Sequence, residues 1–491
     1  MRKDPLRGFL LSAACFAAAA AFPARAAAAP TFTPDYSVLF SSMEVQAVIP
    51  STAGFRMYLT SGSYQVYSAT SSDQVSWTLE PGVRLATTTD SLDASSITAL
   101  GVYVSSSPAD VLRMFYVGIS SYGTYSILSA TSTDGLVWSK ESGARLRSNG
   151  GYGFLGSPSP IALGTSGTRL FYTADKNGVN LPADYSIFSA SSTDGGLSLI
   201  AEGSRLAVQA YQVSVATLSD GRTRLLYTAP LTGETTGSQV LSAVSSDGTT
   251  FTSESGVRLS TTSATARLTG CAVLRSTESF RWRMFSSYLQ PGSPWPVTAS
   301  ALTRIPVIES FTPVSVMKTQ SNVPFTITGE IMTANATAQF AMGPSTITAT
   351  NLSAVSDLQL TGIVDPFGQA QGRYDLTLTH PAGYQATSPW ALTIELPPGV
   401  ITILDNLFRP LRGQSATISV EIAEAGNVLL DLYTVDGGHV ATLYDGPMPQ
   451  GTTSVSWNGK TAAGSYVASG VYLLSVQAPK LKTVERIVVI K

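Results

Sequence analysis

The chain is organised by an internal repeat centred on a Ser-Asp turn. The copies read VYSATSSDQVSWTLEPGVRL from Val66, SILSATSTDGLVWSKESGARL from Ser126, SIFSASSTDGGLSLIAEGSRL from Ser186 and QVLSAVSSDGTTFTSESGVRL from Gln239. An arginine followed by apolar and aromatic residues precedes each copy, at Arg56, Arg113, Arg169 and Arg224. It recurs once more at Arg283, without an aspartate element after it. Self-similarity of this kind constrains the architecture more than any local pattern, and it indicates five units, four of them complete.

Each unit contains four short apolar runs separated by Gly, Ser, Asp and Thr, which favour turns. Four strands per repeated unit predict a β-propeller, in which neighbouring blades bury both faces of each sheet. We expect five blades, with six as the alternative. Residues 32–40 (FTPDYSVLF) resemble residues 251–259 (FTSESGVRL), so the N-terminal strand is predicted to complete the last blade and remove an open sheet edge.

The first 29 residues have the pattern of a signal peptide. A basic start (Arg2, Lys3, Arg7) precedes an apolar run over residues 8–22 and a small-x-small site at residues 24–26. We therefore expect a bacterial protein that is secreted or held at the cell surface. No later apolar run is long enough to predict a transmembrane helix.

The rest of the chain divides into four segments. We predict a propeller over residues 30–304, an immunoglobulin-like sandwich over 305–396, a Pro-Pro-Gly linker over 397–399 and a second sandwich over 400–491. The expected fold class is therefore all-β: a five-bladed β-propeller followed by two immunoglobulin-like β-sandwich domains.

Three family resemblances accompany this division. The S-T-D-G-x-x-W turn at Asp134 resembles a degenerate Asp-box of sialidase- or glycosidase-like five-bladed propellers, although its aromatic residue comes one position early. Residues 308–313 (IESFTP), 325–329 (FTITG) and 372–378 (GRYDLTL) resemble the IPT/TIG family of immunoglobulin-like modules.

The last domain resembles the immunoglobulin-like domain of the flagellar hook-capping protein. The matching segments are NLFRP from Asn406, VLLDLY from Val428, GHVATL from Gly438, WNG from Trp457 and SGVY from Ser469. The resemblance implies a module found at the C-termini of secreted bacterial proteins. Some similar domains are sorting signals, so secretion or cell-envelope machinery is a potential partner of residues 400–491, with a plain spacer as the alternative.

The repeated residues are expected to serve the blades. The turn aspartates Asp73, Asp134, Asp194 and Asp247 would accept hydrogen bonds from turn amides, and the aromatic residue that follows would pack between sheets. Glu80/Arg84, Glu141/Arg145 and Glu254/Arg258 are four residues apart on an extended strand, which predicts exposed ion pairs of little energetic weight. Glu202/Arg205 repeats the pair with a slipped register.

Composition argues against several kinds of function. The formal net charge of −2, without a basic stripe, disfavours nucleic-acid binding. His380 and His439 are the only histidines, and Cys271 is the only cysteine beyond the signal peptide. We therefore expect no cofactor, no His/Cys metal cluster and no Ser-His or Cys-His chemistry in the propeller.

A glycoside hydrolase requires two carboxylates near the propeller axis. The predicted inner strands contain neither Asp nor Glu: residues 45–49, 99–104, 160–163, 213–218 and 271–274. The favoured function is therefore a non-catalytic propeller that binds an extracellular glycan or protein, with the sandwiches as spacers or attachment modules. The alternative is a glycoside hydrolase or sialidase-like enzyme that uses Asp90, Asp93, Asp175 or Asp184.

Topology suggests where a ligand would bind. Loops between the second and third strands, and the crossovers between blades, share the ring face opposite the aspartate turns; we call it the second face. Unrepeated residues predicted there make up the candidate ligand site: Asp90, Asp93, Tyr122, Tyr152, Phe154, Tyr211 and Trp295. Further members of the same loops are Asp175, Lys176, Asp184, Glu234 and Tyr288.

Overall fold

The fold is that of a computed structural model. The described residues are 30–62, 64–106, 109–148, 153–163, 167–175, 177–178, 181–231, 237–260, 267–275, 281–289, 296–397 and 399–491. The predicted signal peptide and two candidate site residues, Tyr152 and Trp295, lie outside them. The chain divides into two compact units. The first runs up to Glu309 and adds residues 329–333 and 356–358; the second comprises residues 310–328, 334–355 and 359–491.

The first unit is a five-bladed β-propeller, which confirms the predicted fold class. Blade 1 contains β2 (Met43–Ser51), β3 (Gly54–Ser61), β4 (Val66–Ser71) and β5 (Thr78–Leu79). Blade 2 contains β6 (Ser96–Ser106), β7 (Ala109–Ile119), β8 (Tyr125–Ser132), β9 (Ser139–Lys140) and β10 (Leu146–Arg147). Blade 3 contains β11 (Leu155–Leu163), β12 (Gly167–Asp175), β13 (Tyr185–Ser192) and β14 (Ile200–Leu206). Blade 4 contains β15 (Gln212–Thr217), β16 (Thr223–Pro230), β17 (Ser238–Ser245), β18 (Thr252–Ser253) and β19 (Leu259–Ser260).

The fifth blade is built from both ends of the propeller sequence. Its strands are β20 (Arg267–Arg275), β21 (Trp282–Leu289), β22 (Pro296–Thr303) and β1 (Phe32–Ser41). β1 pairs antiparallel with β22, from Phe32 opposite Thr303 to Ser41 opposite Val297. The N-terminal strand is therefore the outer strand of the last blade, and it closes the ring.

Five clusters of described buried side chains fill the five interfaces between neighbouring blades. The second strand of each blade is central in its sheet, and neighbouring blades cover both of its faces. Successive residues such as Met57, Tyr58 and Leu59 of β3 are therefore all buried. This double coverage explains why the arginine-apolar-aromatic element repeats so faithfully.

The second unit contains most of the two sandwiches. The strands of the middle sandwich are β23 (Val307–Thr312), β24 (Ser315–Met317), β25 (Val323–Glu330), β26 (Thr337–Met342), β27 (Ser345–Thr348), β28 (Thr350–Ser356), β29 (Gln359–Val364), β30 (Gly372–Thr379) and β31 (Gln385–Glu395). They form two sheets in the orders β23-β25-β29-β28 and β24-β31-β30-β26-β27.

The last sandwich also has two sheets around one buried core. Its strands are β32 (Val400–Leu404), β33 (Leu407–Phe408), β34 (Ala416–Ile422), β35 (Gly426–Thr434), β36 (His439–Met448), β37 (Gly451–Trp457), β38 (Gly470–Ala478) and β39 (Leu481–Val489). The sheet orders are β32-β34-β37 and β33-β39-β38-β35-β36.

Two sequence runs with the pattern of single strands are each divided between the two sheets of the middle sandwich. The run over residues 308–316 becomes β23 in one sheet and β24 in the other, with the break at Pro313, which has no N–H to donate. The run over residues 346–355 is divided in the same way into β27 and β28.

Helical structure in the described residues is limited to two single-turn 3₁₀ helices, Pro182–Asp184 and Pro410–Arg412. A search of the described residues found no helix that could span a membrane.

Candidate functional site

The repeated aspartates organise their own turns. In blade 2, Asp134 Oδ1 accepts hydrogen bonds from the amides of Leu136 (2.8 Å) and Val137 (2.9 Å), and the Ser132 hydroxyl donates to the same oxygen. The amide donors, Val137 first and then Leu136, lower the pKa of Asp134 to about 2. Asp73, Asp194 and Asp247 accept two amide hydrogen bonds in the same way. The predicted role of the turn aspartates is confirmed.

These turns also join each blade to the blade before it. Arg56 Nη1 of blade 1 donates to the main-chain oxygen of Asp134 in blade 2 (2.6 Å), and the Tyr58 hydroxyl donates to that of Gly135 (3.0 Å). The Trp138 ring packs edge-on against the Tyr58 ring, with centroids 5.7 Å apart. The predicted packing of the aromatic residue between sheets is thus confirmed at this interface.

The turn aspartates make the propeller sensitive to acid. Asp73 and Asp134 have an ordinary pKa of 3.8, which folding lowers to about 2, so their stabilisation is complete above pH 4 and is lost as the pH falls through about 2. We expect the Asp73→Asn/Asp134→Asn variant to flatten this acid dependence, since the amide oxygen still accepts but does not titrate. Melting temperatures between pH 5 and pH 2 measure the effect. Asp90→Asn, at an exposed aspartate outside the repeated turns, is the control; an unchanged acid slope in the double variant would contradict the prediction.

The predicted Glu80/Arg84 and Glu141/Arg145 pairs are wrong. Glu80 instead accepts from Nε (2.9 Å) and Nη2 (3.0 Å) of Arg56, the second-strand arginine of its own blade. Arg84 donates to main-chain oxygens, including that of Leu136 in blade 2. The spacing of residues along one strand cannot predict this ion pair, because Arg56 lies on β3, a different strand of the same blade. The slipped Glu202–Arg205 pair does form, at 3.0 Å.

In blade 4, Glu254 was predicted to pair with Arg258, but its carboxylate binds Arg224. Arg224 Nε and Nη2 donate to Glu254 at 2.8 and 2.7 Å. The fifth blade has no aspartate turn to receive Arg224, and Glu330, in the segment 329–333 of the same compact unit, accepts from its Nη1 at 2.9 Å. All three side chains are at most 4% exposed. Among the arginines of the series whose ion pairs are described, Arg224 is the one that binds two buried carboxylates.

The propeller axis is closely packed. A Cβ on Gly101 of β6 would lie 2.1 Å from the main-chain oxygen of Pro158 in β11, and one on Gly270 of β20 would lie 2.4 Å from that of Val45 in β2. Glycine is required at such approaches because no side chain fits. The inner strands leave a cavity of about 70 Å³ at the axis, lined by residues that include Gln46, Ser159 and Cys271.

A larger cavity, of about 260 Å³, lies at the second face where blades 1, 2 and 5 meet. Its lining residues are Glu44, Thr60, Ser61, Gly62, Tyr64, Ile97, Thr98 and Pro296. Glu44 corrects the prediction that the inner strands lack carboxylates, because β2 pairs with β3 as far as Met43 and so begins before Val45. Gln46 Nε2 donates to Thr60 Oγ1 at 2.9 Å beside it and lies 3.4 Å from Glu44 Oε2.

Two residues of this cavity were missed in the sequence although a signal for them existed. Tyr64 lies in the loop between the second and third strands of blade 1, the kind of loop that supplied Tyr122 in blade 2. It is 50% exposed. Glu44 directly precedes the apolar run that was taken as the inner strand.

The predicted acidic residues of the second face differ in their surroundings. Asp93 is buried; Lys140 forms an ion pair with it, and Ser91, the Thr88 amide and the Tyr116 hydroxyl also donate to it. Burial opposes ionisation, but the hydrogen bonds from Lys140 and Ser91 hold the pKa of Asp93 below its ordinary value. Asp175 is fully buried and accepts from the Asn177 amide at 2.9 Å, whereas Asp184 is half-buried and Asp90 is exposed.

The predicted aromatic residues do not converge on one site in the described residues. Tyr122 is 94% exposed. Phe154 is half-buried, stacked on Tyr185 with centroids 4.1 Å apart and edge-on to Tyr125 at 5.3 Å. The Tyr211 hydroxyl accepts from Gln209 at 3.2 Å, and Tyr288 is half-buried. Tyr152, Lys176, Glu234 and Trp295 lie outside the described residues.

Fold and surface together define a five-bladed propeller with a second-face cavity, joined to immunoglobulin-like sandwiches. Residues 408–481 match the family described as FlgD Ig-like domain, which confirms the prediction for the last domain. No curated protein matches the chain.

Solved structures similar to the chain include glycoside-processing propellers. An endo-arabinase from Bacteroides thetaiotaomicron is 13% identical, with 56% of this chain and 97% of that chain covered and a TM-score of 0.41. A GH43_1 enzyme from Xanthomonas citri complexed with xylose is 13% identical, with 55% and 90% covered and a TM-score of 0.42. A sucrose-6-phosphate hydrolase from Lactobacillus gasseri is 12% identical, with 86% and 93% covered and a TM-score of 0.44. Similarity this low carries no argument about activity.

Proposed function

We propose that this is an exported bacterial protein whose propeller binds an extracellular glycan in the second-face cavity between blades 1, 2 and 5. The observation that carries the proposal is the lining of that cavity. Glu44 contributes a carboxylate, Thr60, Ser61 and Thr98 contribute hydroxyls, and Tyr64 contributes a half-exposed ring at the rim.

This lining suits a sugar unit. A carboxylate and several hydroxyls accept and donate the hydrogen bonds that sugar hydroxyls offer, and an aromatic ring stacks against the C–H face of a pyranose or furanose. The volume of about 260 Å³ is slightly below the range of typical drug-sized sites, which favours one sugar residue of a longer chain. A protein side chain is the alternative occupant.

The alternative function, a glycoside hydrolase, needs two carboxylates about 5–10 Å apart across a pocket. Asp93 is engaged by Lys140 and several other donors, and Asp175 is fully buried, so neither is presented to a ligand. Glu44 is the only carboxylate among the described residues that line the cavity. The exposed Asp90 and the half-buried Asp184 remain as candidates for that alternative.

The proposed location of the protein rests on the segments that flank the propeller. The pattern of residues 1–29 supports export to the bacterial cell surface or medium. The middle sandwich, with its IPT/TIG-like motifs, serves as a spacer in this proposal. The FlgD Ig-like domain serves as a spacer or as an attachment module for secretion or envelope machinery.

The test compares cavity variants on a glycan array and on a panel of chromogenic glycosides. We expect Tyr64→Ala and Glu44→Gln each to weaken glycan binding at least about tenfold, the size of one lost stacking or charge-assisted contact. Tyr122→Ala, an exposed tyrosine of the same face outside the cavity, should bind normally. Unchanged binding in both cavity variants would refute the site, and turnover that Asp90→Asn or Asp184→Asn abolishes would establish the hydrolase instead.

A further inference from the structure

The middle sandwich presents an exposed tryptophan on a β-bulge. Between Tyr374/Leu392 and Leu376/Ser388 the register of β30 and β31 shifts, so that several residues of β31 oppose Asp375. Trp390 lies in this bulge, is 58% exposed and has a φ of +53°. Bulges redirect side chains, and a bulky residue with positive φ is an outlier that surrounding contacts must hold in place.

Two charged residues of β30 hold Trp390. The Asp375 Oδ1 atom accepts the main-chain N–H of Trp390 at 2.8 Å. The guanidinium carbon of Arg373 lies 5.5 Å from the centroid of the indole ring, within the range of a cation–π contact. The ring is thus fixed at the surface, beside one cation and one anion.

Most of the rest of this sheet face carries hydroxyl and amide side chains, although Ala341 lies opposite Asp375. The polar side chains alternate along the strands with the buried residues, and the outward set is Thr337, Gln339, Thr346, Thr348, Thr377, Thr379, Gln385 and Thr387. Some pair across strands: Thr377 and Thr387 hydroxyls are 3.3 Å apart, and Gln385 Nε2 donates to Thr379 at 3.2 Å. We call this surface, with Arg373, Asp375 and Trp390, the Trp390 face.

We propose that the Trp390 face is a second glycan-binding surface, whose ligand is a neutral polysaccharide chain. A fixed indole offers a stacking platform for the C–H face of a sugar, and the adjacent Asp375, threonines and glutamines supply acceptors and donors for its hydroxyls. The charges beside the indole balance, so a neutral chain fits better than an acidic one. A protein partner is less suited, since the core of a protein interface is a desolvated apolar cluster and most outward side chains of this face are polar.

This site is independent of the second-face cavity, because its residues belong to another domain. It therefore remains testable if the cavity binds nothing. It also changes the role of the middle sandwich from a spacer to a module that contacts the glycan.

Affinity electrophoresis of the full chain tests the proposal. The gels contain xylan, mixed-linkage β-glucan or dextran as neutral probes and polygalacturonate as the acidic probe. All variants carry Tyr64→Ala, which disables the proposed cavity. We expect the Tyr64→Ala chain to be retarded by at least one neutral probe, and Trp390→Ala to reduce that retardation at least about tenfold, as expected for a lost stacking contact. Trp390→Phe should retain part of it.

Val355→Ala is the matched control, since Val355 is 62% exposed on the other sheet of the same sandwich. Equal melting temperatures show that the variants are folded. A neutral probe that covers the indole should protect tryptophan fluorescence from quenching by iodide. Loss of this protection in Trp390→Phe would show that the probe contacts the indole itself. Retardation by polygalacturonate alone, no retardation by any probe, or full retardation of Trp390→Ala would overturn the proposal.

Discussion

Replacing Arg224 by methionine is expected to lower the free energy of unfolding of the propeller by about 3–5 kcal/mol. The substitution removes the shared partner of Glu254 and Glu330, and both carboxylate side chains are only 1% exposed. Two buried negative charges would then lose the cation that both of them bind. Hydrogen exchange of peptides from blade 4 during urea denaturation measures the loss without interference from the sandwiches.

Arg56→Met is the matched control for this prediction. Arg56 occupies the same repeat position, but its side chain is 10% exposed and that of its partner Glu80 is 16% exposed. Water can therefore solvate the orphaned carboxylate, and we expect a clearly smaller loss. A triple variant with Arg224, Glu254 and Glu330 all replaced by apolar residues should recover much of the stability, because it leaves no buried charge. Equal losses at positions 56 and 224 would refute the special role of Arg224.

The second large loss of stability is expected from Gly101→Ala, a substitution at the propeller axis. The added methyl carbon would lie 2.1 Å from the Pro158 oxygen and 2.6 Å from Pro160 Cδ, and neither a strand carbonyl nor a proline ring can move away easily. Overpacking typically costs about 1–3 kcal/mol, and a clash with backbone belongs at or above the upper end. Urea denaturation monitored by hydrogen exchange of β6 and β11 measures it.

Gly470→Ala serves as the control for this substitution. No atom lies within 4 Å of the Cβ position there, and the φ of Gly470 is not positive. We expect little change in that variant. A Gly101→Ala propeller as stable as the parent would show that the inner strands can separate, and the axis would then be open to a ligand.

The sequence repeat was sufficient to predict the propeller, because every blade needs the same turn and the same double-buried second strand. It also predicted the outer strand of the last blade, since residues 32–40 preserve the pattern of residues 251–259. The partner of Arg224 could not be predicted in this way. Glu330 belongs to no repeat, and it takes the place of a turn that the fifth blade lacks.

The proposed sites were harder to predict, for two different physical reasons. Glu44 was missed because strand ends are set by pairing, here Met43 with Ser61, rather than by the apolar run alone. Trp390 begins the alternating run WALTIEL, a pattern that indicates a regular strand and gives no sign of a bulge. The bulge depends on the register between β30 and β31, which no local pattern encodes.

The pairing of β1 with β22 has a consequence for the timing of folding. The first strand to be synthesised cannot find its partner until the chain has been made as far as residue 303. Contacts so distant in sequence form late and slowly, because a long loop must close before they stabilise anything. If the protein is exported as proposed, its precursor would therefore lack a closed ring until residue 303 has been made, and an open chain is the state that a translocation channel can thread. In that case the ring would close only after the whole propeller has crossed the membrane.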